Sequence, residues 1–250
     1  MVPEAPSRPQ GGGRRRHGDR EVPAAIVFVA TSGCTWQQVP SASFGPSGAT
    51  AHRRFSEWSK ARVWAKLHRL VPDELGARGE LDWSRCAIDS VNMRALKKGD
   101  LTGPNPVDRG KYGSKIHLIT ERLGLPISVG ISAANLHDSQ ALIPLVKGIP
   151  PIRSRRGRRL RKPGKLHADK GYDYIHLRRW LSERGITHRI ARKGVESSQR
   201  LGRHRWTVKR TMAWLAGCRR LHRRYERKAD HFLAFTSIAC TLICYRRLTS

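Results

Sequence analysis

Two aspartates carry the chemistry this chain can offer. Asp89 lies in "AIDS", directly after apolar Ala87 and Ile88. Asp169 lies in "LHADKGYD", at the end of a short apolar stretch and before the breaker Gly171. The chain has only 19 Asp and Glu against 49 Lys and Arg, so an acid at a strand tip needs a reason. A carboxylate there is partly desolvated and costly unless it meets a cation or hydrogen-bond donors. Two such carboxylates on neighbouring strands make a hard-oxygen site suited to Mg²⁺. A pair of such ions activates water and stabilises a departing phosphate oxygen. The competing reading makes both acids loop caps or salt-bridge partners, and spacing alone leaves the two readings open.

The elements that must position these acids follow from hydrophobic pattern. "RCAIDSV" (85–91) reads as a buried strand. "SKIHLIT" (114–120) and "LPISVGIS" (125–132) read as two strands joined by a tight turn at "ERLG". "HDSQALIPLVKG" (137–148) reads as a helix with Asp138 near its start, and a basic loop follows. "KLHAD" (165–169) is a strand, "YIHLRRWLSERG" (174–185) a helix and "THRIAR" (187–192) a strand. Two helices close the chain near 204–217 and 230–247. The order predicts an α/β core with a mixed five-stranded sheet flanked by helices. Upstream, "SEWSKARVWAKLHRLV" places Trp58, Ala61, Trp64, Leu67 and Val71 on one face of a helix capped by Ser56. Residues 1–22 form a Pro-, Gly- and Arg-rich tail predicted to be disordered. Residues 23–80 are a short, partly helical N-terminal region, and 81–250 the α/β domain.

The 250 residues carry a formal net charge of +30. A surface so one-sided attracts polyanions, with nucleic acid first among them. "KGIPPIRSRRGRRLRKPGK" (147–165) holds nine Lys or Arg and no acid. From it Arg155, Arg156, Arg158, Arg159, Arg161 and Lys162 are candidate DNA contacts, in a flexible loop that grips backbone rather than reading bases. Residues 200–228 hold eleven Lys or Arg and one acid, Glu226. Arg205, Arg210, Arg219, Arg220 and Arg223 are its candidates, with Arg219, Arg220, Arg223, Arg224 and Arg227 at helical spacing. Lys111, Lys115 and His117 lie near the strand expected beside Asp89 and join the list. Trp206 and Trp214 read as core rather than base-stacking residues.

The five cysteines fit no zinc pattern and read as reduced thiols in a cytoplasmic chain. "FLAFTSIACTLICY" (232–245) is too short to span a bilayer and suits a buried helix. "AAIVFVA" (24–30) follows basic residues, but no clean cleavage site follows it, which argues against export. No Gly-rich phosphate loop is present, so no nucleotide cofactor is expected.

These motifs together carry a resemblance. "CAIDSVNMRALKKG", "DRGKYGSKIHLITERLGLPISVGISAANLHDS", "KLHADKGYDYIHLRRWL", "RHRWTVKRTMAWLAGCRRLHRRYERKAD" and "CTLICYRR" resemble, in order, the bacterial insertion-sequence transposases of the four/five type in the DDE superfamily. The resemblance runs from about Gly33 to the end. It implies a ribonuclease-H-like core, two Asp and one Glu holding two Mg²⁺ (Mn²⁺ may substitute), and strand cleavage and transfer. The implied partners are double-stranded DNA, as terminal inverted repeats and target, and further copies of the chain. The first Asp matches Asp89 and the second Asp169. The third acid belongs in a stretch resembling "W-x-V-E-R-T-x-A-W-L". Here it reads "W-T-V-K-R-T-M-A-W-L", with Arg205 four positions before, so Lys209 occupies the place of the Glu. An ammonium there removes a ligand and adds a like charge beside the metals. The expected outcome is a DNA-binding transposase with impaired catalysis. A non-catalytic DNA-binding regulator of transposition and a basic RNA-binding protein are the alternatives. Glu196 and Glu226 are out of register as substitutes, and Glu226 reads as a salt-bridge partner. His137 and Asp138 in "NLHDSQ" either line the site or cap the next helix.

Overall fold

The computed structural model describes residues 2–3, 17–18, 20–194 and 198–249, with side chains in the last stretch from Trp206 onward. Four helices come first: α1 (Glu21–Ser32), α2 (Ser41–Phe44), α3 (Gly48–Lys60) and α4 (Val63–Ala77). The expected single helix from Ser56 is in fact two. Ser47 caps α3, its Oγ accepting the Thr50 amide at 3.3 Å. The chain breaks at Arg62, which takes a left-handed φ of 56° between α3 and α4. That break lets Trp58 and Trp64 meet edge-on at 5.8 Å, a contact the sequence period alone does not encode.

The sheet then forms from β1 (Cys86–Arg94), β2 (Gly103–Pro104), β3 (Tyr112–Glu121), β4 (Pro126–Ala133), β7 (Lys165–Ala168) and β8 (Thr187–Ile190). Its five main strands run β4-β3-β1-β7-β8, with the two-residue β2 added on β3. β4, β3 and β1 are an antiparallel meander, while β7 and β8 continue parallel to β1. This order is the ribonuclease-H-like arrangement, and β1 and β7 are its two central parallel strands. α5 (Ser139–Lys147) and α6 (Ile175–Glu183) connect the later strands, and α7 (Ser198–Leu215) and α8 (Ala229–Thr249) close the chain.

Strand alternation sends side chains to two faces. Cys86, Ile88, Ile119, Leu166 and Ala168 meet Leu142 and Leu145 of α5 and Leu177 and Leu181 of α6. On the other face Ile116 and Leu118 join α8, α7 and the N-terminal helices in one core. Phe55 of α3 stacks on Phe235 of α8 at 4.4 Å, and Ile26, Trp58 and Leu75 are fully buried in the same cluster. α8 is enclosed on most sides, which accounts for its nearly continuous apolar sequence. Among the described residues no helix is long and apolar enough to cross a membrane. All five cysteines are free thiols.

Two further expectations fail. The basic stretch after α5 is an ordered hairpin, β5 (Ile152–Arg153) paired with β6 (Arg159–Leu160), not a flexible loop. The carboxylate of Asp73 in α4 fixes its base, accepting the Arg153 amide at 2.8 Å and pairing with Arg153 and Arg159 at 2.8 and 3.1 Å. The second failure is the arginine run after α7. Residues 219–221 form a single tight 3-10 turn and the chain then extends, so no arginine-lined helical face exists there.

Candidate nucleic-acid interface and acidic centre

The parallel ladder between β1 and β7 pairs Cys86 with Leu166 and Ala87 with His167. Continued two residues, that register brings Asp89 level with Asp169, which follows the last residue of β7. In a parallel pair, level residues project to one face. Asp89 also pairs with Leu118 across the antiparallel ladder, which puts both aspartates on the face covered by α7 and α8. Each carboxylate is held locally. Asp89 Oδ1 accepts the Ser90 amide at 2.9 Å, and Asp169 Oδ1 accepts the Gly171 amide at 2.9 Å. A Cβ at position 171 would stand 3.0 Å from Asp169 Oδ1, a tight contact that the carboxylate would have to yield to. Asp173, the second acid of "DKGYD", serves the fold. The Lys193 amide, and then Arg178 at 2.6 Å, hold its carboxyl below the usual carboxylate range.

α7 lies across β1, β3 and β7. Among its described side chains Thr207, Val208, Thr211 and Leu215 are buried, and Lys209 is exposed. Thr211 donates its hydroxyl to the Gly124 carbonyl and Arg210 donates to that of Leu123, so the helix is clamped to the β3–β4 turn. Glu121 braces the same turn, accepting the amides of Leu123, Leu125 and Asp82 at 2.8, 3.0 and 3.1 Å, while burial pushes its carboxyl up.

Lysines and arginines of one type have different fates. The Lys115 side chain is 10% exposed, donates to the Leu136 carbonyl at 2.7 Å and pairs with Asp138 at 2.9 Å. It pairs in register with Asn92, on the sheet face opposite Asp89. His117 shares that face and is buried against Ser132 at 2.8 Å. Both are therefore removed from the candidate DNA contacts. Asp138 makes no capping hydrogen bond; it is spent on Lys115. Arg220 is buried, pairing with Glu226 at 2.8 Å and donating to the Cys34 carbonyl at 3.1 Å, so it too belongs to the fold. That pair confirms Glu226 as a salt-bridge partner. Arg224 is fully buried. Lys111, Arg155, Arg156, Arg158, Arg161, Arg219 and Arg223 are exposed. Arg159 is partly committed to Asp73, and Lys162 donates to the Arg184 carbonyl at 2.9 Å. The Arg205 side chain and Glu196 lie outside the described residues.

Trp206 and Trp214 are not core residues. They are 50% and 38% exposed, with the Arg210 guanidinium 4.4 and 4.5 Å from their rings. Their i, i+4, i+8 spacing with Arg210 was the available signal: one helical strip carries all three.

Asp89 and Asp169 supply two carboxylates on one sheet face, and among the described residues no three His, Cys, Asp or Glu side chains group to hold a metal ion.

A ribonuclease-H-like sheet with one aspartate inside a central strand, Asp89 in β1, and another just past the end of its parallel neighbour, Asp169 after β7, fits the class of DDE domains. Comparison with known proteins narrows this. The transposase DDE domain family matches residues 83–244, and the family described as "Putative transposase of IS4/5 family" matches 1–68. The chain is 46% identical over 191 residues to the "Putative transposase for insertion sequence element IS402" of Burkholderia cepacia, covering 76% of this chain and 87% of that one. It is 30% identical over 124 residues to the transposase for insertion sequence element IS1106 of Neisseria meningitidis serogroup B, covering 50% and 36%. A solved chain of the Mos1 strand transfer complex overlaps 96% of this chain and 81% of its own at 12% identity and TM-score 0.32. The chain belongs to the DDE transposase family of bacterial insertion sequences.

Proposed function

We propose that this transposase-family protein binds double-stranded DNA through its basic surface and that its strand cleavage and transfer are impaired. The observation that carries the proposal is the parallel β1–β7 ladder, whose register, continued two residues beyond Ala87 and His167, brings Asp89 level with Asp169 on the sheet face crossed by α7, the helix that carries Lys209 in the place of the third acid. Divalent ions, Mg²⁺ or Mn²⁺, serve DDE chemistry, and a lysine at that position opposes their binding by charge. DNA affinity does not suffer from the change, because an ammonium contacts phosphate as a point charge. The exposed arginines at the β5–β6 tip, with Lys111, Arg219 and Arg223, supply phosphate contacts in number. Self-association on paired DNA ends belongs to the same reading.

The test compares the protein with Lys209→Glu on DNA carrying the terminal inverted repeats of the encoding element. Nicking by the Glu variant alone, with Mg²⁺ or Mn²⁺, supports the reading. Equal nicking by the unaltered protein rejects Lys209 as the lost third position. Binding by both without nicking by either favours the non-catalytic regulator.

A further inference from the structure

Beside the exposed strip of α7 lies a groove of about 530 Å³ between α7, the β3–β4 turn and the end of α8. That size falls in the range of roughly 300–1,000 Å³ typical of small-ligand sites. Buried Leu125 and Ile243 line it, Trp214 forms one wall, and Arg246 and Arg247 line the α8 side. Trp206 extends the aromatic surface one turn along α7, with Arg210 between the two rings. Arg247 pairs with Glu80 at 3.5 Å, and Glu121 at the turn is consumed by three backbone amides.

Exposed indoles and an apolar slot ordinarily invite an apolar partner. The charges here select a different one. Three arginines line the groove, on a chain of net charge +30. A second copy of this chain would bring its own excess of cations to that surface. A ligand that is flat, aromatic and anionic fits both halves of the site. We infer that the Trp206–Arg210–Trp214 strip and its groove take an unpaired DNA nucleotide, the base against Trp214 and its phosphate on Arg246 and Arg247. Paired bases inside a duplex cannot reach the slot, so the site reads whether DNA is frayed, gapped or single-stranded. Stacking is tolerant of base identity, since every base has a π-face. The inference rests on the DNA-binding reading above and adds a preference that phosphate contacts alone do not give.

The experiment titrates the full chain with a blunt duplex and with the same duplex bearing three unpaired nucleotides, one of them 2-aminopurine. Blunt-duplex binding reports general DNA affinity, and the difference between the probes reports the groove. The expected result is a roughly tenfold preference for the unpaired probe, with 2-aminopurine emission quenched on binding. Trp214→Ala should abolish preference and quenching while leaving blunt-duplex affinity and its salt dependence unchanged. Trp214→Phe should keep both, which guards against a simple folding defect. Equal binding of the two probes by the unaltered protein overturns the inference while leaving DNA binding intact. A Trp214→Ala variant that keeps the preference but loses self-association in sedimentation overturns it in favour of an interface between copies. Absence of binding to either probe rejects both readings.

Discussion

Arg224 donates from Nη1 to the hydroxyl of Ser114, 110 positions away in the chain, and so ties the segment after α7 to the start of β3. The same guanidinium donates to the carbonyls of Leu101 at 3.1 Å, Glu226 at 2.8 Å, Asp100 at 2.6 Å and Arg227 at 3.2 Å. Arg224 and Arg94 also exchange backbone contact, the Arg224 amide donating to the Arg94 carbonyl at 2.8 Å. A fully buried cation is tolerable here because planar donors reach that many acceptors.

Arg224→Lys is therefore not conservative. The lysine keeps the charge but cannot span the fork, leaving buried carbonyls without donors. A loss of about 3 kcal/mol in unfolding free energy is expected, read by urea denaturation. An unchanged midpoint rejects the bracing role. Arg223→Lys, one position earlier and exposed, is the control and should leave stability unaltered.

Stability should fall in mild acid through two buried histidines. Burial holds His68 and His117 down to about 4, and each is bonded as a neutral ring, His68 to the Pro126 carbonyl and His117 to Ser132. An unfolded histidine takes its proton near 6.5. As pH drops below that value the unfolded state binds protons that the native rings refuse, so stability is full above about 6.5 and declines toward 4. Each ring contributes at most about 3 kcal/mol to the decline. Urea midpoints at pH 7.5 and 4.5 measure it, and His68→Gln should reduce the difference. If the variant shows the same pH dependence as the parent, His68 is not the source.

The β5–β6 hairpin separates holding from gripping. Its base is paired with Asp73, whereas Arg155, Arg156 and Arg158 at the tip are exposed. Replacing those three with alanine should lower the magnitude of the slope of log affinity against log salt by up to about 3. Stability should be untouched. A slope equal to that of the parent would mean that the hairpin points away from DNA.

Asp73→Asn tests the other half of that hairpin. Losing the two arginine pairs should loosen its base, and trypsin should then cut at Arg155–Arg158 faster than in the parent. The Asp73 carboxyl lies below its usual range, lowered chiefly by the Arg153 amide and side chain and by Arg159 against an opposing effect of burial. Protection should accordingly weaken in the parent as that carboxyl protonates at low pH. Identical cleavage rates at neutral pH would show that strand pairing alone fixes the hairpin.

Much of this fold was legible because apolar runs and breakers record which side of an element faces a core. The five main strands, the helix between β4 and the hairpin, and the two closing helices follow from that pattern. Asp169 was legible as an acid ending an apolar strand, whereas Asp89, read in the same way, lies inside β1, five residues before its end; Lys209 was legible through the motif that surrounds it. The strand register that levels the two aspartates was not, since pairing joins residues 80 positions apart.

The sequence by itself determined the element types, the excess of positive charge and a lysine, Lys209, in the stretch where the resemblance expects an acid. Tertiary structure alone decided which charges are spent on the fold. Arg219, Arg220, Arg223 and Arg224 are identical in type and adjacent in sequence, yet two are buried and two exposed. The difference lies in their partners: Cys34 comes from 186 positions away for Arg220 and Ser114 from 110 for Arg224. The same holds for Lys115, bound by Asp138 across a strand and a turn, and for Trp206 and Trp214, left exposed because α7 meets the sheet through Val208, Thr211 and Leu215 instead. Local pattern sets how a helix or strand divides into faces. Desolvation of a charge or an indole depends on what the distant chain brings against it, and that is fixed only once the layers have packed.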